Sequence, residues 1–185
     1  MTPVPLAKLP DDVAAQVGDA GAKQVNLYRC LAHAPELLRA WITFAWALRG
    51  NSATSRRMRE LMILRTAMLH ESRYEWHQHV HMATQLGVEE TEIAQLESWQ
   101  TSSLFDQRTK AALAFTDAIV EGRVPAHINA ELAAHFNETQ RIELTVTAAF
   151  YSMVPRVLDA LDVPIEEEFA EATPPPASTR GPARS

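Results

Sequence analysis

The chain has 185 residues, enough for one sizeable core, and its 46% hydrophobic and 22% charged residues are the balance of a soluble globular protein. A net charge of −6 argues against nucleic-acid binding, which needs a clustered basic face; Arg56, Arg57 and Arg59 are neighbours, but acidic residues dilute them. The single cysteine, Cys30, excludes an intramolecular disulfide and dithiol redox chemistry, and no apolar run is long enough for a signal peptide or a membrane span, so a cytoplasmic protein is expected.

In chain order, residues 1–10 carry three prolines and read as an extended arm. Asp11 and Asp12 can cap a short first helix, and a helical pattern containing Cys30 as a small apolar residue continues from Val25 to Ala34. Pro35 suits the first position of a helix to Arg49 that ends at Gly50-Asn51. Its Leu37, Leu38, Trp41, Ile42, Phe44 and Leu48 make it apolar enough to lie deep in a core or to meet another subunit. After the cap-rich loop 51–55, two helices fill the stretch from Arg59 to Val88, with Gly87 as a C-terminal stop. Further helices are expected over about Glu89–Trp99, Gln107–Glu121, Pro125–Phe136 and Gln140–Leu161, the last kinked or shifted by Pro155. No strand pattern is present, and the tail from Thr173 is proline-rich and expected to be disordered. The expectation is all-α, with a single helical domain over 11–172 between an arm (1–10) and a tail (173–185). A weak echo of Arg59-Glu60-Leu61 in Ile142-Glu143-Leu144 leaves an ancestral duplication open.

The stretch from Arg59 to Val88 carries the chemical signal. Its two helices break at His70-Glu71-Ser72. On the first, Leu61, Ile63, Leu64, Ala67 and Met68 share one arc and Glu60 falls inside it, with Arg59, Thr66 and His70 opposite. On the second, Trp76, Val80, Met82, Ala83 and Leu86 form the arc, and Glu75 and His79 fall inside it. Two carboxylates and an imidazole are thus aimed inward, which is costly unless they are paired, hydrogen-bonded or in use.

Each of these residues also has a structural reading. Ser72-Arg73-Tyr74-Glu75 is a capping box in which Glu75 would bond the Ser72 backbone, and this is compatible with a second role. His79, one turn from Glu75, is either a satisfied core histidine or the centre of a site. Glu60 could be neutralised by a distant arginine such as Arg156. His77 and His81 have metal-sharing i, i+4 spacing, yet both fall on the polar face and the HExxH arrangement is absent. A solvated face is the simpler reading, and a metal site would need further ligands.

The segments RELMILRTA, YEWHQHVHMA and LGV, continued by LAFTDAIVEGRV and ELTVTAAFYSMVPRVLDALDVP, resemble the carboxymuconolactone decarboxylase family within the alkylhydroperoxidase D-like fold over most of residues 35–165. The peroxidase branch of that family carries a glutamate followed twelve residues later by CxxCxxxH. Counted from Glu60, the two cysteine positions hold Ser72 and Glu75, and the histidine is His79. The resemblance therefore points to the cysteine-free, decarboxylase-like branch and away from thiol peroxidase activity.

It implies a helical protomer assembling into homotrimers or homohexamers, acting without a cofactor on a small molecule, with no nucleic-acid or membrane partner. The expected chemistry is loss of carbon dioxide from a carboxylated lactone, or related proton transfer on an unsaturated carbonyl compound. His79 would donate the proton or bind the oxyanion, Glu75 would orient it or relay a proton, and Glu60 would be a second acid. Tyr74, Arg73 and Arg156, with Arg65 as a further cation, are candidates for holding the substrate. The competing readings are a non-catalytic helical oligomer with a buried Glu/His network, and a metal-dependent enzyme built on His77 and His81.

Overall fold

Helix geometry follows from short sequence signals at both ends of each element. The computed structural model describes residues 3–20, 22–50, 52–169 and 175–176. Among these it contains nine α-helices and no strand. They are α1 (Asp11–Asp19), α2 (Asn26–Leu31), α3 (Pro35–Arg49), α4 (Arg56–Leu69), α5 (Arg73–Gln85), α6 (Glu90–Gln95), α7 (Gln107–Val120), α8 (Ala126–His135) and α9 (Glu138–Ala160). None of the described helices is long and apolar enough to cross a membrane. The expected disordered tail falls, apart from Pro175 and Pro176, outside the described residues.

The chain divides into two compact units. One comprises residues 1–50 and 156–172. In it Leu9 is buried against the expectation of a free arm, and the backbone N–H groups of Val4 and Ala7 donate to the carbonyls of Leu161 and Arg29. Arg39 of α3 grips Asp12 of α1 through Nε and Nη2, at 2.7 and 3.0 Å. Helix α3 is amphipathic, not sunk in the core. Leu38, Ile42 and Ala45 are buried, whereas Leu37 and Phe44 are exposed.

The other unit comprises residues 51–155 and 173–185. Its centre is α4, capped by the Ser55 hydroxyl, which accepts from the Met58 N–H. Leu61, Leu64 and Met68 pack with Trp76 of α5, Leu96 and Leu113 of α7, while Met62 packs with Phe115, Leu132 of α8 and Leu144 of α9. Burial runs unbroken from Arg59 to Met68. Of the expected polar side of this helix, Arg59 and Thr66 are buried and His70 is half-buried; Arg65 is buried as well. Thr66 finds its partner locally and Arg65 far along the chain. The Thr66 hydroxyl donates to the Met62 carbonyl, and Arg65 meets Asp117 of α7 through Nε–Oδ1 at 2.7 Å and Nη2–Oδ2 at 3.1 Å. The same guanidinium donates to the Leu96 carbonyl, and the Trp99 indole N–H donates to Asp117 Oδ2. Trp99 is buried with it.

The turn between α4 and α5 is three residues long, His70 to Ser72. Ser72 N–H donates to Ala67 O and Glu71 N–H to Met68 O, the paired bonds of a Schellman ending, with Glu71 at φ 53° where glycine is usual. Ser72 then caps α5 at once, its hydroxyl accepting from the Glu75 N–H. Gly87, at φ 77°, ends α5 the same way, with Val88 N–H bonded to Ala83 O. Helix α6 is shorter than the expected 89–99 segment and opens on a reciprocal cap between Glu89 and Glu92. Helix α9 continues through Pro155.

The Arg65–Asp117 pair has side-chain exposures of 4% and 5%, so removing one partner strands the other charge in the core. Asp117→Ala is expected to lower unfolding stability by about 3–5 kcal/mol in urea titrations.

Candidate active site

The α4–α5 hairpin sets Glu60 opposite His79, 19 residues later in the chain. Glu60 is 0% exposed, His79 1% and Glu75 5%. The imidazole bridges the two carboxylates: His79 Nδ1 lies 2.7 Å from Glu60 Oε2, and Nε2 lies 3.5 Å from Glu75 Oε2. The inward arcs of the two helices thus meet in one buried cluster. The second oxygen of Glu60 accepts from the guanidinium of Arg56, one turn earlier on α4. That guanidinium is a cation of this carboxylate from its own helix; Arg156 is exposed and belongs to the other compact unit. An i, i+4 partner reaches Glu60 without bending either helix.

Tyr151 of α9 completes the cluster. Its ring meets the His79 ring edge-on, with centroids 4.9 Å apart and an interplanar angle of 88°, and Phe150 braces it in turn at 5.3 Å. Such aromatic pairs favour this T-shaped geometry.

A second layer holds the start of α4. Glu143, the α9 counterpart of Glu60 in the sequence echo, accepts from the N–H groups of Ala53 and Thr54 and from the Thr54 hydroxyl, at 2.8, 2.9 and 2.8 Å. Burial pushes its carboxyl up, but these bonds, with Arg59 adding to them, leave it below its ordinary value. Arg59 donates to the Thr54 carbonyl and hydroxyl. Burial, with Arg56 nearby, pulls the Arg59 guanidinium below its usual range, against the pull of Glu143, Glu60 and Tyr151. Arginines, carboxylates and an imidazole are therefore within electrostatic reach of one another.

The other sequence candidates separate. Tyr74 is buried and Arg73 exposed on the first turn of α5. Arg65 is committed to Asp117 and is not available for a substrate carboxylate. His77 is not on a solvated face. It is 6% exposed, because α5 is covered on more than the one side its pattern suggests. His81 is exposed and its Nε2 lies 3.0 Å from the Gln85 amide nitrogen. Among the described residues no group of three or more His, Cys, Asp or Glu side chains is arranged to hold a metal ion. Arg56 and Tyr151 went unnoticed in the sequence. The i, i+4 relation of Arg56 to Glu60 was readable there, whereas nothing local marks Tyr151.

A helical protein with a buried Glu–His–Glu cluster on a hairpin is the class that fold and site define. The sequence model of the carboxymuconolactone decarboxylase family matches residues 35–118, which span α3 to α7 and contain Glu60, Glu75 and His79. The fold is similar to that of an uncharacterized peroxidase-related protein from Silicibacter sp. TM1040 (TM-score 0.77, 20% identity, covering 91% of this chain and 92% of that one). It is similar, too, to an alkylhydroperoxidase AhpD core protein from Ralstonia eutropha JMP134 (TM-score 0.76, 20% identity, 91% and 96% covered). The debrominase Bmp8, in complex with 2,3,4-tribromopyrrole, follows at TM-score 0.75 and 20% identity, with 88% and 91% covered. No curated protein matches the chain. Residues 35–118 thus match the model of the carboxymuconolactone decarboxylase family, and the fold is the one these AhpD-like structures share.

Burial, and after it the charge of Arg73, lowers His77 from its ordinary value of 6.5. The unfolded chain therefore binds this proton at higher pH than the folded one does. The stability His77 supports is complete above that value and is lost as pH falls below it. Thermal unfolding midpoints should decline as pH is lowered from 7 through 6, and His77→Gln should flatten that decline.

Proposed function

We propose that this protein is a cofactor-independent enzyme of proton transfer on small, acidic, unsaturated carbonyl compounds, with decarboxylation of a carboxylated lactone as its model reaction. One observation carries the reading: an imidazole 1% exposed stands between two carboxylates, 2.7 Å from one and 3.5 Å from the other. Loss of carbon dioxide from such a lactone leaves an electron pair on carbon, delocalised onto the ring carbonyl as a dienolate. A site for this reaction needs a group that stabilises the oxyanion and an acid that protonates carbon. His79 serves as that donor, Glu75 relays or orients its proton, and Glu60 holds the ring from the opposite nitrogen. Arg73 and Tyr74 are the groups proposed to meet the substrate's own carboxylates and carbonyl.

Thiol chemistry of the kind suggested by peroxidase relatives has no support in this hairpin. Ser72 and Glu75 occupy the positions of the family's paired cysteines, and Cys30, the chain's one thiol, is buried in α2.

The test is spectrophotometric loss of γ-carboxymuconolactone by chelator-treated protein, with His79→Ala in parallel. Wild type should turn the lactone over, and the variant should fall by at least about a hundredfold. Near-equal rates in the two would remove His79 from the chemistry.

A further inference from the structure

We propose that Arg56 is a positioning residue: by holding Glu60 ionised it fixes the His79 tautomer and confines one mobile proton to the gap between His79 Nε2 and Glu75. The use made of that proton rests on the reading above; the position of the proton does not.

A guanidinium stays charged at any accessible pH, and an ionised carboxylate can only accept hydrogen bonds. With one Glu60 oxygen taken by Arg56, the other meets His79 Nδ1 at 2.7 Å, so Nδ1 must be the donor. In a neutral ring Nε2 is then a bare lone pair. It faces Glu75 Oε2 at 3.5 Å, an oxygen that, when ionised, is also only an acceptor. Two acceptors facing each other where water is excluded repel. A single proton on either atom turns that repulsion into a hydrogen bond.

The surrounding charges agree. The groups in contact with the ring are Glu60 on α4, Glu75 on α5 and Tyr151 on α9, and Arg56 on α4 is paired with Glu60. One arginine against two carboxylates leaves one negative charge, which one proton balances. Tyr151, edge-on to the ring, closes one side of it. Without Arg56, a fully buried and uncompensated Glu60 would compete for that proton. The Nδ1 proton would lose its fixed place, and the Nε2 end would lose its supply. Arg56 thus acts through Glu60 on a ring it does not itself touch in any recorded bond.

The experiment is long-range proton–nitrogen NMR of ring-labelled histidine in wild type, Arg56→Gln and Arg56→Lys, without substrate, across pH 6 to 9. Wild type and Arg56→Lys should show His79 with a proton-bearing Nδ1. Arg56→Gln should show that signal displaced toward the tautomer average, and its lactone turnover should fall about tenfold or more, with the lysine variant retaining most of it. A wild-type Nδ1 signature in Arg56→Gln would overturn the proposal. Should that variant not fold, Glu75→Gln decides. An amide facing Nε2 should leave Nδ1 protonated and Nε2 bare, and loss of the Nδ1 proton there would equally overturn it. Absence of turnover in wild type would count against the lactone reaction, while the NMR result would still stand or fall separately.

Discussion

A carboxylate with no exposure to water, Glu60, is the constraint around which the second compact unit is arranged. Burying an uncompensated charge is prohibitive, so its environment must supply donors. The chain meets that demand twice, from the same helix through Arg56 and from the next helix through His79. The second solution requires α5 to return against α4 in one register. The Schellman ending at Glu71 and the immediate Ser72 cap deliver that register in three residues. Local backbone chemistry at the turn and electrostatics in the core therefore specify the same hairpin.

Helix α4 carries a second buried polar system, and the contrast between the two is informative. Around Arg65 the account closes: both Asp117 oxygens are used, the Leu96 carbonyl is bonded, and the Trp99 indole contributes another donor. This is a tie between α4, α7 and the segment after α6. Around Glu60 the geometry is tight at Nδ1 and looser at Nε2, where 3.5 Å separates ring from carboxylate. A cluster built only for packing gains from short contacts at both ends. A cluster that must exchange a proton needs one end able to let go.

Much of this was legible in the sequence, because helices announce themselves through apolar spacing and through caps such as Ser55, Ser72 and Asp106. The inward placement of Glu60, Glu75 and His79 followed from 100° per residue alone, and the structure brings all three together. The same rule failed on Arg59, Thr66 and His77, which a periodic reading sends to the surface. Those side chains lie inside because helices distant in sequence pack around them, as α7 does on α4 through the Arg65–Asp117 pair, 52 residues apart. Periodicity reports which face is apolar and is silent about a helix surrounded on every side. Tyr151 was invisible for a related reason, as it reaches His79 only through the tertiary path of α9.

The central claim is that the Glu60–His79–Glu75 cluster exists for chemistry and not for packing, and urea unfolding of Glu75→Leu tests it most directly. Replacing a buried charged group by an apolar one of similar size is often neutral or stabilising when the charge served no structural purpose. The account predicts that this variant is at least as stable as wild type and inactive toward the lactone. A loss of several kcal/mol, on the order of about 3–5 as for a broken structural pair, would contradict it and assign the cluster to the scaffold.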